Sequence, residues 1–210
     1  MNSDNELIAK ILTAYNHVHN SDLEPNESIE LEFRIGTINH NGKYIPGVDQ
    51  KQFSTLEKAT SLFDVKSKKQ ENTLVLGSNV TYTKVLRNVV NLDTKTSYYE
   101  EKNKLDTVIL PHHQMKFAIA KETILAAGTA PTLYPSIARF RNRTTYATSD
   151  KQWDISFTKT LSLTERDKLQ SSFIKEWLKK IKTGSEDMKY NYEVEIEYTG
   201  EKQDNKQIYL

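Results

Sequence analysis

The sequence predicts a mainly β fold of the α+β class, in which an antiparallel sheet curls or closes and about three α-helices flank it. Nearly all of residues 72–160 is rich in Val, Ile, Thr, Tyr and Phe, and turn residues divide this region into short segments. Segments 28–36 and 190–198 alternate charged and apolar residues with a period of two, which is typical of strands. Three amphipathic segments indicate helices that can cover the apolar face of such a sheet.

The predicted helices span residues 3–19, 49–63 and 164–182. Each segment carries apolar residues at helical spacing. Asp49 and Gln52 suit the start of the second helix, and Thr164 suits the N-cap of the third. Asn41 and Gly42 predict a hairpin turn after the first charged strand.

The central part of the chain predicts a meander of short strands, at residues 73–76, 80–90, 97–104, 107–110, 114–125, 136–148 and 151–160. A run of strands without intervening helices is typical of an antiparallel sheet that curls or closes. The lysine-rich stretch 66–69 is predicted to be a solvated connection, with an RNA-facing patch as the alternative.

Length and composition predict one domain, residues 1–210, with an N-terminal helix and connector over 1–27, a core over 28–198 and a C-terminal tail or linker over 199–210. The 29 basic and 28 acidic residues nearly cancel, which argues against a nucleic-acid binder that relies on bulk charge. The absence of cysteine excludes disulfides, thiolate metal sites and cysteine nucleophiles, and fits a reducing intracellular compartment. No apolar run approaches a membrane span, so we expect no membrane association.

The first and last predicted strands each carry a row of carboxylates on one face. Glu30 and Glu32 share a face of the first strand, and Glu193, Glu195 and Glu197 share a face of the last. A face washed by solvent would tolerate either row at little cost. If the two strands lie side by side, five carboxylates converge and require cations, either divalent metal ions or lysines and arginines.

Several central strands place charged or polar residues on one face in the same way. These rows comprise Arg139, Arg141 and Arg143; Lys116 and Glu122, separated by Ala118 and Ala120; Asp154, Ser156 and Thr158; and the cations Arg87, Lys102 and Lys104. Each row alone is consistent with an ordinary sheet that exposes its polar face. Because the helices can cover the apolar face of a curled sheet, the rows together favour a charged interior that can hold metal, phosphate and water.

The order of the charged strands resembles that of the triphosphate tunnel metalloenzymes. It is most similar to the metal-dependent RNA triphosphatases of mRNA capping in fungi, protists and large DNA viruses, those of giant viruses above all. The motifs that carry the resemblance are Glu30-x-Glu32, Arg139-x-Arg141-x-Arg143, Asp154-x-Ser156 and Glu193-x-Glu195-x-Glu197. The resemblance covers about residues 28–198 and implies a closed, eight-stranded antiparallel barrel whose tunnel is open at both ends and admits the 5′ triphosphate of RNA.

The resemblance implies a role for each acidic residue of these motifs. Glu30, Glu32 and Glu197 would bind Mn²⁺ or Mg²⁺. Glu193 and Glu195 would support this site. The resemblance also assigns Glu122 to the attacking or metal-bound water.

The cationic residues are assigned to the substrate by the same resemblance. Those that would hold phosphate are Arg87, Lys102, Lys116, Arg139, Arg141 and Arg143, and four of them, Arg87, Lys102, Arg141 and Arg143, would also act in catalysis. Asp154 would contact the cations of the tunnel wall, with Ser156 beside it.

The implied function is that of a hydrolase acting on phosphoric anhydride bonds, an RNA 5′-triphosphatase that performs the first step of mRNA capping and also hydrolyses free NTPs. The implied partners are guanylyltransferase and methyltransferase domains fused C-terminally in a multifunctional enzyme. If the chain is viral, the resemblance implies the host cytoplasm or the virion as its location. The sequence has no G-x-x-x-x-G-K-[ST] loop, so side chains rather than loop amides must bind phosphate.

Two other functions stay open at the level of sequence. The first is another activity of the same fold, a tripolyphosphatase or a thiamine triphosphatase, because the chemistry would be shared. The second is a non-catalytic module that binds RNA ends or polyphosphate.

Overall fold

The computed structural model describes residues 23–126, 134–164, 166–184 and 188–199, together with residues 8, 9, 11–13 and 16. The strands of this part of the chain are β1 Glu27–Ile38, β2 Tyr44–Pro46, β3 Val65–Asn79, β4 Lys84–Asn91, β5 Ser97–Leu110, β6 Met115–Leu125, β7 Ile137–Thr148, β8 Trp153–Leu163 and β9 Asn191–Tyr198.

Eight of these strands close into an antiparallel barrel. The order around the barrel is β1-β6-β5-β4-β3-β7-β8-β9, and β9 pairs back onto β1. Closure satisfies the backbone hydrogen bonds of both terminal strands, so the barrel has no free edge. The predicted fold class, a closed eight-stranded antiparallel barrel with flanking helices, is confirmed.

The ninth strand, β2, extends the sheet outside the closed barrel. It pairs antiparallel with the last residues of β1, where Gly36 lies opposite Pro46 and Ile38 lies opposite Tyr44. The connection turns at Gly42, which has a φ of 73°. The hairpin expected from Asn41 and Gly42 therefore forms, with β2 as its short return strand.

The second predicted helix is confirmed, at Gln50–Ala59. Asp49 accepts a hydrogen bond from the backbone of Gln52, whose side chain accepts one from Asp49 in return. The expected third helix starts later than predicted, at Ser171, and runs to Lys182. Thr164 cannot be its N-cap, because β8 continues to Leu163 and a short 3₁₀ turn over Arg166–Lys168 intervenes. Of the predicted helix 3–19, residues 8, 9, 11–13 and 16 are helical, and the rest lies outside the described residues.

Three strand boundaries differ from the prediction. The lysine-rich stretch 66–69 belongs to β3 and pairs with β7, because a closed barrel must supply β7 with a partner along its whole length. The predicted strands 97–104 and 107–110 form one strand, β5, with an irregularity between Lys104 and Asp106. Residues 80–83 form a turn, and β4 begins at Lys84.

The apolar core lies between the outer face of the barrel and its helices. Phe53 of the helix Gln50–Ala59 packs against Phe157 and Val194, and Ile174 of the helix Ser171–Lys182 packs against Leu74 and Ala138. Because side chains alternate along a strand, this packing turns the charged rows inward. Among the described residues, no helix is long and apolar enough to span a membrane.

Candidate active site in the barrel interior

The barrel encloses a cavity of about 340 Å³ whose walls are mainly charged. Its carboxylates are Glu30, Glu32, Glu71, Glu100, Glu122, Glu195 and Glu197, and its cations are Arg34, Lys69, Arg87, Lys102, Arg141 and Arg143. The seven acidic and six basic side chains nearly balance in charge. So many charges can be buried together only because opposite charges lie next to one another.

The two acidic strands are neighbours, as the convergence of carboxylates requires. Glu32 of β1 lies opposite Glu197 of β9, and Arg34 lies opposite Glu195. Glu32 and Glu195 are almost fully buried, with 3% and 6% of their surfaces exposed. Glu32, Glu195 and Glu197 are therefore brought together at the β1–β9 seam.

Arg34 neutralises two of these buried carboxylates. Its guanidinium forms an ion pair with Glu32, and its Nη2 lies 3.1 Å from Oε1 of Glu195. Arg34 was given no role by the sequence analysis. The signal that could have identified it is its position, two residues after Glu32 in the same inward row.

Glu195 is a buried carboxylate that two guanidinium groups stabilise. Its side chain accepts a hydrogen bond from Arg143 and pairs with Arg34. Burial alone would raise its pKa, but the guanidinium groups of Arg34 and Arg143 outweigh burial and lower the pKa of Glu195 to about 2. Glu195 is therefore ionised at neutral pH and holds Arg143 in place.

A second group of ion pairs lies around Lys102. Its Nζ pairs with Glu30 and lies 3.0 Å from Oε1 of Glu122. Arg87 donates to Glu100 at 2.9 Å, and the same nitrogen lies 3.9 Å from Oε1 of Glu122. Glu100 was missed by the sequence analysis. It belongs to the inward row of β5 with Lys102, which is the signal that could have found it.

Glu197 differs from the other carboxylates because it forms no ion pair with any residue that the structure describes. Burial, and next the charge of Glu122, raise the pKa of Glu197 above its usual value. The charges of Arg143 and Lys102 favour its ionised form, but they do not outweigh burial and the charge of Glu122.

Two arginines of β7 have unsatisfied hydrogen-bonding capacity. The Nε atoms of Arg139 and Arg141 are buried, and neither has a hydrogen-bond partner among the described residues. Burial, and then the charge of Arg143, lower the pKa of Arg141 to about 9. A buried Nε–H group without a partner on a guanidinium is expected to favour an anionic ligand.

The remaining candidates do not line the open cavity. Ser156 is buried, and its Oγ lies 3.0 Å from the hydroxyl of Thr145. Asp154 lies opposite Glu197 on β8, and burial raises its pKa. Three further candidates lie towards the end of the barrel at which β6, β7 and β9 begin, and these are Lys116, Arg139 and Glu193.

As the side chains stand, no three acidic or histidine residues in the described part of the chain form a group that could hold a metal ion. The reason is visible in the ion pairs, since Glu30 and Glu32 turn towards Lys102 and Arg34. The chemistry of the donors nevertheless fits a divalent ion. Glu30, Glu32 and Glu197 offer only oxygen atoms from adjacent strands, and Glu197 has no ion-pair partner among the described residues.

No protein-family model matches the chain, and no curated protein matches it significantly. Solved structures do match. The RNA triphosphatase domain of a trifunctional mimivirus mRNA capping enzyme is 15% identical with a TM-score of 0.64, over 95% of this chain and 89% of that one. The Pct1 RNA triphosphatase of S. pombe is 15% identical with a TM-score of 0.58, over 95% and 79%. At this identity the likeness establishes the fold, and this chain has the same barrel.

Proposed function

We propose that this chain is a metal-dependent polynucleotide 5′-triphosphatase that removes the γ-phosphate of triphosphate-ended RNA and also hydrolyses free NTPs. The observation that carries the proposal is the enclosed cavity in which carboxylates of β1 and β9 meet arginines and lysines of β4, β5 and β7. The fold shared with two RNA triphosphatases supports it.

The cations of the cavity suit a triphosphate. Arg87, Lys102, Arg141 and Arg143 come from three strands and surround the same space. Arginine can fork onto two phosphate oxygens, and several such groups can share the charge of one triphosphate. The carboxylates that hold these cations now, Glu100 and Glu195 among them, keep them in position before substrate binds. Lys116 and Arg139 lie beyond the lining of this cavity and would act on the phosphates through their charge.

Glu30, Glu32 and Glu197 would hold Mn²⁺ or Mg²⁺. When bound, such an ion neutralises charge on the γ-phosphate as a Lewis acid. Glu195 supports the site by holding Arg34 and Arg143 next to Glu32, and Glu193 and Asp154 complete the acidic wall. Both Glu30 and Glu32 would exchange a contact with Lys102 or Arg34 for the metal. That exchange would free both cations for phosphate.

Glu122 is the residue placed to act on water. It lies beside Lys102 and Arg87, two of the proposed phosphate ligands, so a water held by Glu122 would lie near the γ-phosphorus. That water attacks the γ-phosphorus, and the bond from this phosphorus to the β–γ bridging oxygen breaks. Arg141 and Arg143 stabilise the charge left on the β-phosphate. The products are inorganic phosphate and 5′-diphosphate RNA.

A 5′-diphosphate end is the acceptor for guanylyl transfer. We therefore propose that the chain acts before guanylyltransferase and methyltransferase activities, in an intracellular compartment. The mimivirus protein with the same barrel is trifunctional, which supports such a coupling.

The test is phosphate release from RNA that carries a labelled γ-phosphate, with Mn²⁺ or Mg²⁺ and again in excess chelator. Tripolyphosphate and thiamine triphosphate are assayed in parallel. We expect metal-dependent release from RNA. Inert RNA with rapid turnover of tripolyphosphate would instead indicate a tripolyphosphatase, and binding of RNA without any release would indicate the non-catalytic module.

A further inference from the structure

The two ends of the barrel differ. We call the end at which β1 starts and β9 finishes the open end, and the opposite end the Tyr44 end. The cavity reaches the open end, because Asn91, Thr96 and Tyr98 line it there. Inward positions at the Tyr44 end, such as Lys116 and Glu193, do not line the cavity. The cavity itself therefore does not extend to the Tyr44 end.

The ring of Tyr44 occupies the place of a missing side chain on the inner face of β1. Gly36 continues the inward row of Glu32 and Arg34. A Cβ atom added at Gly36 would lie 2.6 Å from Cε2 of Tyr44 and 2.3 Å from the carbonyl oxygen of Ile45. Glycine at this position thus allows the β1–β2 hairpin to fold back and place the ring of Tyr44 against β1.

Contacts on several sides hold this ring. The hydroxyl of Tyr44 donates to the backbone carbonyl of Arg34 at 3.1 Å, and the ammonium of Lys116 lies 5.7 Å from the ring centroid. Burial, together with the nearby charges of Glu195 and Glu193, raises the pKa of Tyr44 to about 12 despite Arg34. The phenol therefore stays protonated and remains a donor.

We propose that Tyr44 closes this end of the barrel, so that a triphosphate enters and leaves by the open end alone and its γ-phosphate is the innermost group. This inference rests on the proposed function. Its consequence concerns substrate selection. A nucleotide or RNA can extend from the open end, but the ring of Tyr44 would obstruct a bulky group attached to the γ-phosphate.

The test compares two γ-esters of ATP, a methyl ester and an aryl ester, which carry the same charge and differ in bulk. Hydrolysis of either ester at the γ-phosphorus forms ADP and the corresponding monoalkyl or monoaryl phosphate, so ADP formation measures both. Equilibrium binding of the same esters gives a readout that does not require turnover. For the wild-type chain we expect the aryl ester to bind and react at least about tenfold less well than the methyl ester.

Two variants should remove this discrimination by different routes. Tyr44→Ala deletes the ring, and Gly36→Ala displaces it, because the added Cβ overlaps both the ring and the Ile45 carbonyl. Tyr44→Phe keeps the ring and should keep the discrimination. Tyr82→Ala is the matched control, since Tyr82 is 98% exposed.

The outcomes separate the two proposals. Equal binding of both esters to the wild-type chain would overturn the closure, as would unchanged discrimination in a folded Tyr44→Ala or Gly36→Ala variant. If Tyr44→Ala does not fold, Gly36→Ala and the wild-type measurement decide. Absence of turnover with ATP and triphosphate RNA would count against the proposed function, while the binding ratio of the two esters would still test the closure.

Discussion

Glu32 of β1 and Glu197 of β9 lie directly opposite one another at the seam that closes the barrel. The pair is asymmetric. Glu32 forms an ion pair with Arg34, whereas Glu197 forms none with any described residue, and burial raises its pKa. The two carboxylates face each other at the seam, and among the described residues only Glu32 has an ion-pair partner. A divalent ion would therefore be most stabilising beside Glu197.

Replacing Glu197 should separate activity from stability. For Glu197→Ala we expect phosphate release to fall at least about 100-fold, since even residues that support a metal ligand contribute up to that much. The melting temperature should stay close to that of the wild type, because the change leaves no cation without its partner. Thermal unfolding and labelled phosphate release measure the two effects.

The matched control is Glu101→Ala. Glu101 is also a strand carboxylate, but it pairs with Lys84, and neither residue lines the cavity. This variant should retain turnover. Near wild-type turnover in a folded Glu197→Ala variant would refute the assignment of Glu197 as a ligand.

Replacements of Arg87 and Glu100 should have strongly coupled effects on the free energy of unfolding. Both side chains are largely buried, and their atoms are 2.9 Å apart. Glu100→Ala should destabilise the fold by about 3 kcal/mol, because Arg87 keeps only the distant contact with Glu122. Adding Arg87→Ala removes the uncompensated charge, so the double variant should lose less than the sum of the single variants. Urea unfolding of the wild type and the three variants gives the coupling energy, and strict additivity would contradict the pairing.

The inward rows could be predicted from the sequence, because strand alternation depends only on local spacing. Glu30 with Glu32 and Arg141 with Arg143 illustrate this. The ion pairs could not be predicted, because they depend on register between distant strands. Lys102 and Glu30 are separated by 72 positions, and Arg143 and Glu195 by 52. A shift of one residue in either register would have turned these side chains to the outer face.

The errors in the predicted boundaries of strands and helices have the same physical origin. Lysines 66, 68 and 69 have low intrinsic preference for strands, yet the length of β7 requires a partner there. Thr164 has a good N-cap side chain, but the pairing of Leu163 with Ala138 keeps the chain in β8 up to that point. In both cases long-range pairing in the closed barrel outweighs local preference.

Lys116 should make the free energy of unfolding depend on pH in the alkaline range. Burial, followed by the charges of Arg34 and Lys104, lowers the pKa of Lys116 to about 8, from 10.5. The folded chain therefore loses this proton before the unfolded chain does, and folding gains stability as the pH rises from about 8 to 10.5. Because the ammonium is partly exposed, we expect a gain of about 1 kcal/mol.

Lys116→Met should flatten this rise and be more stable than the wild type at neutral pH. Urea unfolding at a series of pH values measures the free energy of unfolding of both chains. The control is Lys175→Met, at an exposed position of the helix Ser171–Lys182. A wild-type profile that stays parallel to that of Lys116→Met between pH 8 and 10.5 would contradict the prediction.

Binding of a divalent ion should be detectable as stabilisation, without any assay of activity. An ion that binds only the folded chain raises the free energy of unfolding, by about 2.7 kcal/mol at a concentration of 100 times its dissociation constant. We expect Mn²⁺ to raise the melting temperature of the wild type and excess chelator to reverse the rise. Glu197→Ala should lose most of the effect, because it removes a proposed ligand, whereas Glu101→Ala should retain it. An equal rise in the wild type and in Glu197→Ala would show that the ion binds elsewhere, and the acidic seam between β1 and β9 would then have to be neutralised by Arg34, Lys102 and Arg143 without a metal ion.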